Sequence, residues 1–324
     1  MKMITNYPMV DRIRSLEKFN TPKNHVLQIL IFIAVFMAAS IIQSVIVTIG
    51  IMPKLMKWTL DLMESNGGSL DYDEAMKLVT EFMMDPSLTV LTLFSTLAIT
   101  LTVFFYCRVF EGRKLSTIGL SKKGAFPQYL LGLGVGFAMF SAVVGISCLM
   151  GGLTANGLAN GKISGILLAF VGFGIQGMSE EVLCRGYFMT TTLRHHKPWV
   201  AIVSNSVIFA ILHGANPGIS LLALVNLFLC GVMFSLYVLR TDNLWGACAL
   251  HSIWNFVQGN FFGLPVSGID SGDSVFSFSL NEGMNLANGG AFGAEAGLPT
   301  TIVLSAVIAI LLFVPFGKKQ EAAA

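Results

Sequence analysis

Runs of about twenty apolar residues recur along the whole chain, and no other feature constrains its fold as strongly. A helix of that length crosses the hydrocarbon core of a bilayer. The composition agrees, because 54% of the 324 residues are hydrophobic and only 12% are charged, about half the charge of a typical soluble domain. Since the bilayer core holds no water, spanning segments must satisfy their own backbone hydrogen bonds. The sequence therefore predicts an all-α, polytopic integral membrane protein.

The apolar runs predict about eight transmembrane helices. The fourth is long for a simple span, so we expect it to tilt or to extend beyond the bilayer. The predicted helices are Val26–Gly50, Leu88–Cys107, Tyr129–Gly151, Ile163–Leu193, Trp199–His213, Ile219–Leu239, Leu244–Phe262 and Thr300–Phe316.

With eight spans, fifteen of the twenty lysine and arginine residues fall on one side of the membrane. The positive-inside rule then predicts that both termini are cytoplasmic, in a protein of the plasma membrane. The opposite side carries two loops, Lys54–Pro86 and Gly263–Pro299, of which the first is rich in acidic residues and the second has only acidic charges. These fifteen residues are Lys2, Arg12, Arg14, Lys18, Lys23, Arg108, Arg113, Lys114, Lys122, Lys123, Arg194, Lys197, Arg240, Lys318 and Lys319.

The two outer loops differ in pattern. In the first loop, Asp71 and Glu74 resemble a helix-capping box. Apolar residues then recur at helical spacing, at Tyr72, Met76, Val79 and Met83. This pattern predicts a short amphipathic helix on the outer surface, and a substrate-docking element is the alternative. The second loop is rich in Gly, Ser and Asn, which predicts a flexible segment. The chain thus divides into an N-terminal part (1–107), a polar-motif core (108–262) and a C-terminal part (263–324).

Composition and cysteine spacing argue against nucleic-acid binding and against disulfides. The net charge of +2 and the absence of a basic patch interleaved with aromatics do not support nucleic-acid binding. The cysteines lie within or at the edges of apolar runs and include no CxxC pair, so we expect small buried hydrophobes and no disulfides. They are Cys107, Cys148, Cys184, Cys230 and Cys248.

Adjacent carboxylates, Glu180 and Glu181, interrupt the apolar run GFGIQGMSEEVLCRGYFM, and Arg185 follows one turn later. A charged side chain at membrane depth costs at least ~2.5–3.5 kcal/mol, so such groups mark pairing or function. The two carboxylates point about 100° apart on a helix. One can therefore face a water-filled cavity while the other pairs with Arg185 at i, i+4. A purely structural salt-bridge cluster is the alternative.

Two later helices add imidazoles and an amide: His213 in FAILH, and His251 with Asn255 in HSIWN. Taken singly, these residues can be packed or hydrogen-bonded helix contacts. However, Glu180 and His213 are each fourteen residues from an end of the polar turn between the fourth and fifth helices, about 21 Å along a helix. The polar groups of three helices can therefore share one layer. Carboxylates, imidazoles and an amide are the parts of a hydrolytic site.

The ordered motifs EEVLCR, FAILH and HSIWN resemble the CPBP family of intramembrane proteases, also described as Abi-like. This family includes the type II CAAX prenyl endopeptidases, with the motifs EExxxR, FxxxH and HxxxN. The motif residues Glu180, Glu181, Arg185, Phe209, His213, His251 and Asn255 are all present. The resemblance covers residues 108–262. It implies hydrolysis of a peptide bond in a membrane-anchored peptide or protein, and a prenylated CAAX-like substrate is one member of that class.

The resemblance also implies roles for these residues. Glu180 would be the general base, and His213 would orient the attacking water. His251 and Asn255 would donate hydrogen bonds to the oxyanion. Glu181 and Arg185 would stabilise the helix as an ion pair, or Glu181 would instead hold a histidine in one tautomer.

Other mechanisms remain as alternatives at this point. No cofactor is favoured, but Glu180, His213 and His251 form a His₂Glu set that suits a catalytic zinc, although no HExxH prearranges it. The GxSxG and GxGD signatures of other intramembrane proteases are absent as well. A non-catalytic transporter or scaffold is the competing class, because buried Glu, Arg and His also mark ion paths.

Overall fold

The apolar runs form helices in a computed structural model that describes residues 7–65, 76, 77, 79, 82 and 85–315. Two stretches, Val182–Met189 and Val257–Phe261, are π-helical. Two short strands, β1 (Leu153–Leu158) and β2 (Phe276–Leu280), pair antiparallel. The α-helices among these residues include α1 (Pro8–Ser15), α2 (His25–Ser65), α3 (Pro86–Ser95), α4 (Leu97–Val109), α5 (Ala125–Leu149), α6 (Ile163–Glu181), α7 (Thr190–His195), α8 (Pro198–Leu212), α9 (Leu221–Thr241), α10 (Trp245–Phe256), α11 (Asn285–Asn288) and α12 (Leu298–Phe313).

Within the part of the chain that the structure describes, five helical segments are long and apolar enough to cross a membrane: His25–Asp61, Ser87–Val109, Ala125–Leu149, Ile163–His195 and Leu221–Thr241. Two shorter apolar helices, α8 and α12, and α10 with its π-helical end account for the remaining predicted spans. Large apolar side chains on the outside remain exposed, such as Ile49 at 68%, as expected for surfaces that face lipid tails. The predicted all-α polytopic membrane fold is confirmed.

Helix α10 is the centre of the fold and packs between α5 and α6. Every residue from Gly246 to Asn255 is buried. Glycines make the close packing possible: a Cβ atom on Gly136 of α5 would lie 2.7 Å from the carbonyl oxygen of Leu250, and one on Gly177 of α6 would lie 2.5 Å from Ser252 Oγ. Small residues let membrane helices approach in this way. They position the helix that carries His251 and Asn255.

We expect Gly136→Leu to destabilise the protein, because the new side chain would collide with Leu250 and Ile253. Overpacking of this kind typically costs ~1–3 kcal/mol. Gly134→Leu is the matched control, since a Cβ there has no atom within 4 Å and the residue is exposed. Thermal unfolding in detergent should show a lower midpoint for Gly136→Leu only. Equal midpoints for the two variants would contradict this account of the α5–α10 contact.

The first membrane helix is longer than predicted, because α2 continues through Lys54 to Ser65. The prediction of a loop beginning at Lys54 is therefore wrong. Pro53 removes only one helical hydrogen bond, and the residues that follow include many strong helix formers. Lys54 forms an ion pair with Asp85 at the start of α3, and its hydrogen bond lowers the pKa of Asp85 to about 2.

Most of the predicted amphipathic helix in this loop lies outside the described residues. Asp71, Tyr72, Glu74 and Met83 belong to that part, so their predicted roles stay predictions. Of the residues that the structure does describe here, Met76 and Val79 are helical and exposed, whereas Phe82 is helical and buried.

The segment Gly263–Pro299, predicted to be a flexible outer loop, is ordered and packed, so that prediction is wrong. It contributes β2 to the two-stranded sheet, and Phe292, Ala294 and Ala296 are buried. Its composition explains both the prediction and the error. Glycines occupy left-handed turn positions such as φ +103° at Gly293, which only glycine adopts readily. The side-chain amide of Asn288 donates to the carbonyl oxygen of Asn281 inside the segment and to that of Gly152 outside it.

Candidate active site

A cavity of about 420 Å³ lies between the helices and the C-terminal segment. Residues of α2 and α3 give part of its wall an apolar surface, including Val47, Ile51, Leu88 and Leu93. The structure brings the predicted site residues Glu180, His213, His251 and Asn255 to this one cavity, together with Phe209, Gln176 and Glu295. Side chains as far apart in the sequence as Val47 and Glu295 therefore line one cavity.

Glu181 and Arg185 lie behind the cavity wall and do not line it. Arg185 Nη1 donates to Glu181 Oε1 at 2.8 Å, and neither side chain has any exposed surface. The guanidinium lies over the rings of Phe209 and Phe234, at 4.4 and 5.1 Å from their centroids. Cation–π contacts and an ion pair together offset the burial of this charge. The predicted i, i+4 pair is thus present in the structure.

Glu181 also orients His251. Nδ1 of the imidazole donates to Glu181 Oε1 at 2.9 Å, so the carboxylate makes both contacts that the sequence left as alternatives. Because the neutral ring carries one proton, the Nδ1–H bond leaves Nε2 as an acceptor. The His251 side chain, which carries this acceptor, is 8% exposed and lines the cavity.

His213 is oriented by the end of its own helix. It is the C-cap of α8, where the last carbonyls have no partner in the helix. Its Nδ1 donates to the carbonyl oxygen of Phe209 at 2.9 Å. The FxxxH spacing therefore supplies the partner of the histidine one turn earlier, and the neutral ring again leaves Nε2 as an acceptor.

Glu180 Oε2 lies between the two imidazoles. Its distances to Nε2 are 3.7 Å for His251 and 3.9 Å for His213, too long for direct hydrogen bonds. The oxygen is buried and has no hydrogen-bond partner. Three acceptors thus face one another with no donor between them. A water molecule, which donates two hydrogens, or a cation would complete such an arrangement.

Gln176 is a site residue that the sequence reasoning missed. Its Nε2 donates to Glu180 Oε1, and its Oε1 accepts from Asn255 Nδ2 at 2.9 Å. In this structure the Asn255 amide is therefore joined to Glu180 through Gln176. A signal existed, because Gln176 is a polar residue in an apolar run, one helical turn before Glu180.

Glu295 is the second missed residue, and it comes from the C-terminal segment. Its carboxylate accepts hydrogen bonds from the backbone N–H and the hydroxyl of Ser267 and lines the same cavity as Glu180. No periodicity or motif in the sequence distinguishes it from other acidic residues of that segment.

The His₂Glu set can be compared with a zinc site. In a tetrahedral site with bonds of ~2.0–2.1 Å, ligand atoms lie roughly 3.3 Å apart, closer than the 3.7 and 3.9 Å found here. Within residues 7–65, 76, 77, 79, 82 and 85–315, no group of three or more His, Cys, Asp and Glu side chains has an arrangement for a metal ion. Glu180, His213 and His251 would have to move closer together to bind zinc.

Residues 162–257 match the family model of type II CAAX prenyl endopeptidase Rce1-like proteins. The matched segment contains Glu180, His213, His251 and Asn255. This match supports membership of the CPBP family for the part of the chain that it covers. The Rce1-like family is a protease family, which supports a hydrolase. No curated protein and no solved structure matches the chain.

The family match also separates two kinds of cavity residue. It begins just before α6 and ends just after α10, within the 108–262 range of the motif resemblance. Glu295 and Ser267 lie outside the matched residues. The cavity therefore includes a carboxylate from a segment that the family model does not cover.

Proposed function

We propose that the chain is an intramembrane endopeptidase that hydrolyses a peptide bond by water activated between Glu180 and histidine. The observation that carries the proposal is the buried Oε2 of Glu180, which faces Nε2 of His213 and Nε2 of His251 without a donor. A water molecule bound there donates one hydrogen to the carboxylate and the other to an imidazole. Its remaining lone pairs are then free for attack.

In the proposed reaction, Glu180 accepts a proton as the water oxygen attacks the peptide carbonyl, and it then delivers that proton to the departing amine. Gln176 holds the other carboxylate oxygen, which keeps Oε2 directed at the water. His213 orients the water through Nε2. Preorganisation of this kind removes the cost of arranging the groups during the reaction.

The oxyanion is proposed to form beside His251 and Asn255. With Nδ1–H bonded to the carboxylate of Glu181, His251 can carry a second proton on Nε2 and donate it to developing negative charge. Asn255 has a second amide N–H besides the one bonded to Gln176. We propose both as donors, with Glu181 and Arg185 holding the ring from behind the wall.

The proposed substrate is a membrane-anchored peptide or protein, of which a prenylated CAAX-like peptide is one example. The apolar wall residues Val47, Ile51 and Leu93 suit the apolar part of such a substrate. The chain is an integral membrane protein, and we propose that it resides in the plasma membrane with both termini cytoplasmic. The first test is cleavage, by the purified protein in lipid discs, of a panel of membrane-tethered peptides, with products identified by mass. Failure to cleave any peptide would favour a transporter or scaffold.

A zinc mechanism at the same residues predicts different effects of the His251→Ala and Asn255→Ala substitutions from those of the proposed water activation. Without a metal, we expect His251→Ala and Asn255→Ala each to lower turnover by ~10²–10³-fold, the usual loss for one oxyanion donor. With His251 as a zinc ligand, its loss would remove bound metal and leave almost no activity, whereas Asn255 would matter less.

The measurement is metal analysis of the purified protein, with the cleavage rate recorded before and after exhaustive chelation. We expect the rate to be unaffected. Stoichiometric zinc, with activity lost on chelation and restored by added zinc, would replace the proposed water activation with metal catalysis.

A further inference from the structure

Among the described residues that line the cavity, the permanent charges have one sign. Glu180 and Glu295 contribute carboxylates, and none of these lining residues is a lysine or an arginine. Arg185 does not compensate them, because it is fully buried behind the wall and paired with Glu181. When His213 and His251 are neutral, the cavity therefore has a negative potential, which the apolar wall strengthens by excluding water.

Glu295 is held in place by its neighbours. Ser267 donates its backbone N–H and its hydroxyl to Oε1 of Glu295, and these two bonds leave Oε2 without a bond to Ser267. The backbone is also anchored, since Asn226 of α9 donates to the carbonyl oxygens of Glu295 and Gly297, both at 2.9 Å. A carboxylate held at a cavity wall by two donors and a neighbouring helix is preorganised for a ligand.

A cationic ligand would stabilise the ionised form of the Glu295 carboxylate. Burial raises the pKa of the Glu295 carboxyl, while the hydrogen bonds from Ser267 and, when they are protonated, the imidazoles of His213 and His251 act against that rise. A cation in the cavity would favour the ionised form further. Conversely, a substrate carboxylate placed in this cavity would face Glu180 and Glu295 with no lysine or arginine among the described lining residues to pair with it.

We propose that Glu295 forms a cation-binding subsite of the proposed peptidase, so that the preferred substrates carry a lysine or arginine close to the cleaved bond. This inference rests on the proposed function for its peptide substrate. It also distinguishes substrates within that class. A peptide whose free carboxyl terminus enters the cavity, as the terminus of a CAAX-like peptide would, is disfavoured relative to one with an amidated terminus.

The test uses a peptide from the cleavage panel with lysine, norleucine or glutamate at each position within three residues of the bond, and with a free or amidated carboxyl terminus. Binding is measured by fluorescence anisotropy in lipid discs, and cleavage is measured on the same samples. At one position or more we expect the wild type to favour lysine over norleucine by on the order of tenfold in Kd and kcat/KM. Glutamate should be the least favourable.

Glu295→Gln should remove the preference for lysine, and Glu295→Lys should reverse it towards glutamate. Glu282→Gln is the matched control, because Glu282 is an exposed carboxylate of the same segment that does not line the cavity; it should behave as the wild type. Glu295→Asp keeps the charge and should keep a preference for lysine. Thermal unfolding of each variant separates a lost subsite from a lost fold.

The outcomes distinguish this inference from the proposed function. Cleavage with no charge preference, or a preference unchanged in Glu295→Gln, overturns the subsite and leaves the peptidase intact. Charge-dependent binding that responds to Glu295, without cleavage of any peptide, supports the subsite and overturns the peptidase. Equal effects of Glu295→Gln and Glu282→Gln would attribute the preference to the general charge of the segment and overturn the subsite.

Discussion

Replacing Glu180 with glutamine is expected to abolish measurable hydrolysis while the fold is retained. The amide has the shape of the carboxylate but cannot accept the proton of the attacking water. Loss of a general base alone costs ~10²–10⁴-fold in rate, and here the same group is proposed to return the proton to the leaving amine. The amide oxygen can still accept the hydrogen bond from Gln176, so we expect the packing of α6 to persist.

The measurement is the initial cleavage rate of a panel peptide, together with the unfolding midpoint in detergent. Gln176→Ala provides a graded comparison. It removes the group that holds Glu180 Oε1 and leaves the carboxylate itself, so its loss of rate should be smaller than that of Glu180→Gln. Glu64→Gln, at an exposed position near the end of α2, is the control for general loss of charge. Near-normal turnover by Glu180→Gln would remove Glu180 as the base.

Removing one partner of the buried Glu181–Arg185 pair is expected to cause the largest loss of stability. Both side chains are completely buried, so either single change leaves an uncompensated charge, at ~3–5 kcal/mol. The Glu181→Ala, Arg185→Ala double variant should lose less stability than the sum of the two single changes, because neither charge remains. Glu181→Ala should also reduce turnover, since it removes the partner of His251 Nδ1.

A double-mutant cycle in detergent unfolding measures this coupling. The Arg12–Asp242 pair is the matched control, because its N···O distance is 2.7 Å but its side chains are 30% and 25% exposed. A partly exposed pair typically contributes only ~0–1 kcal/mol, so its coupling should be clearly smaller. Additive losses at Glu181 and Arg185 would show that the two side chains do not stabilise each other.

Local periodicity determined most of what the sequence could predict. Long apolar runs placed the helices to within a few residues for most spans, because a helix in lipid needs both length and apolar side chains. Spacing of one turn predicted the Glu181–Arg185 ion pair and put Phe209 beside His213, since residues four apart share a helix face. The rise per residue placed Glu180 and His213 at a similar depth. In the structure, Glu180 Oε2 lies 3.9 Å from His213 Nε2.

The tertiary structure alone decided which carboxylate faces the cavity and what else surrounds it. The sequence predicted that Glu180 and Glu181 point in different directions, but the direction of each depends on how α6 packs against α10. The sequence could not identify Glu295 as a cavity residue, because the turns and asparagine contacts of the segment from Gly263 to Pro299 follow no periodic pattern. Only the tertiary structure placed its carboxylate at the cavity. Contacts between residues distant in the chain, such as Asn226 with Glu295, depend on packing that no local pattern encodes.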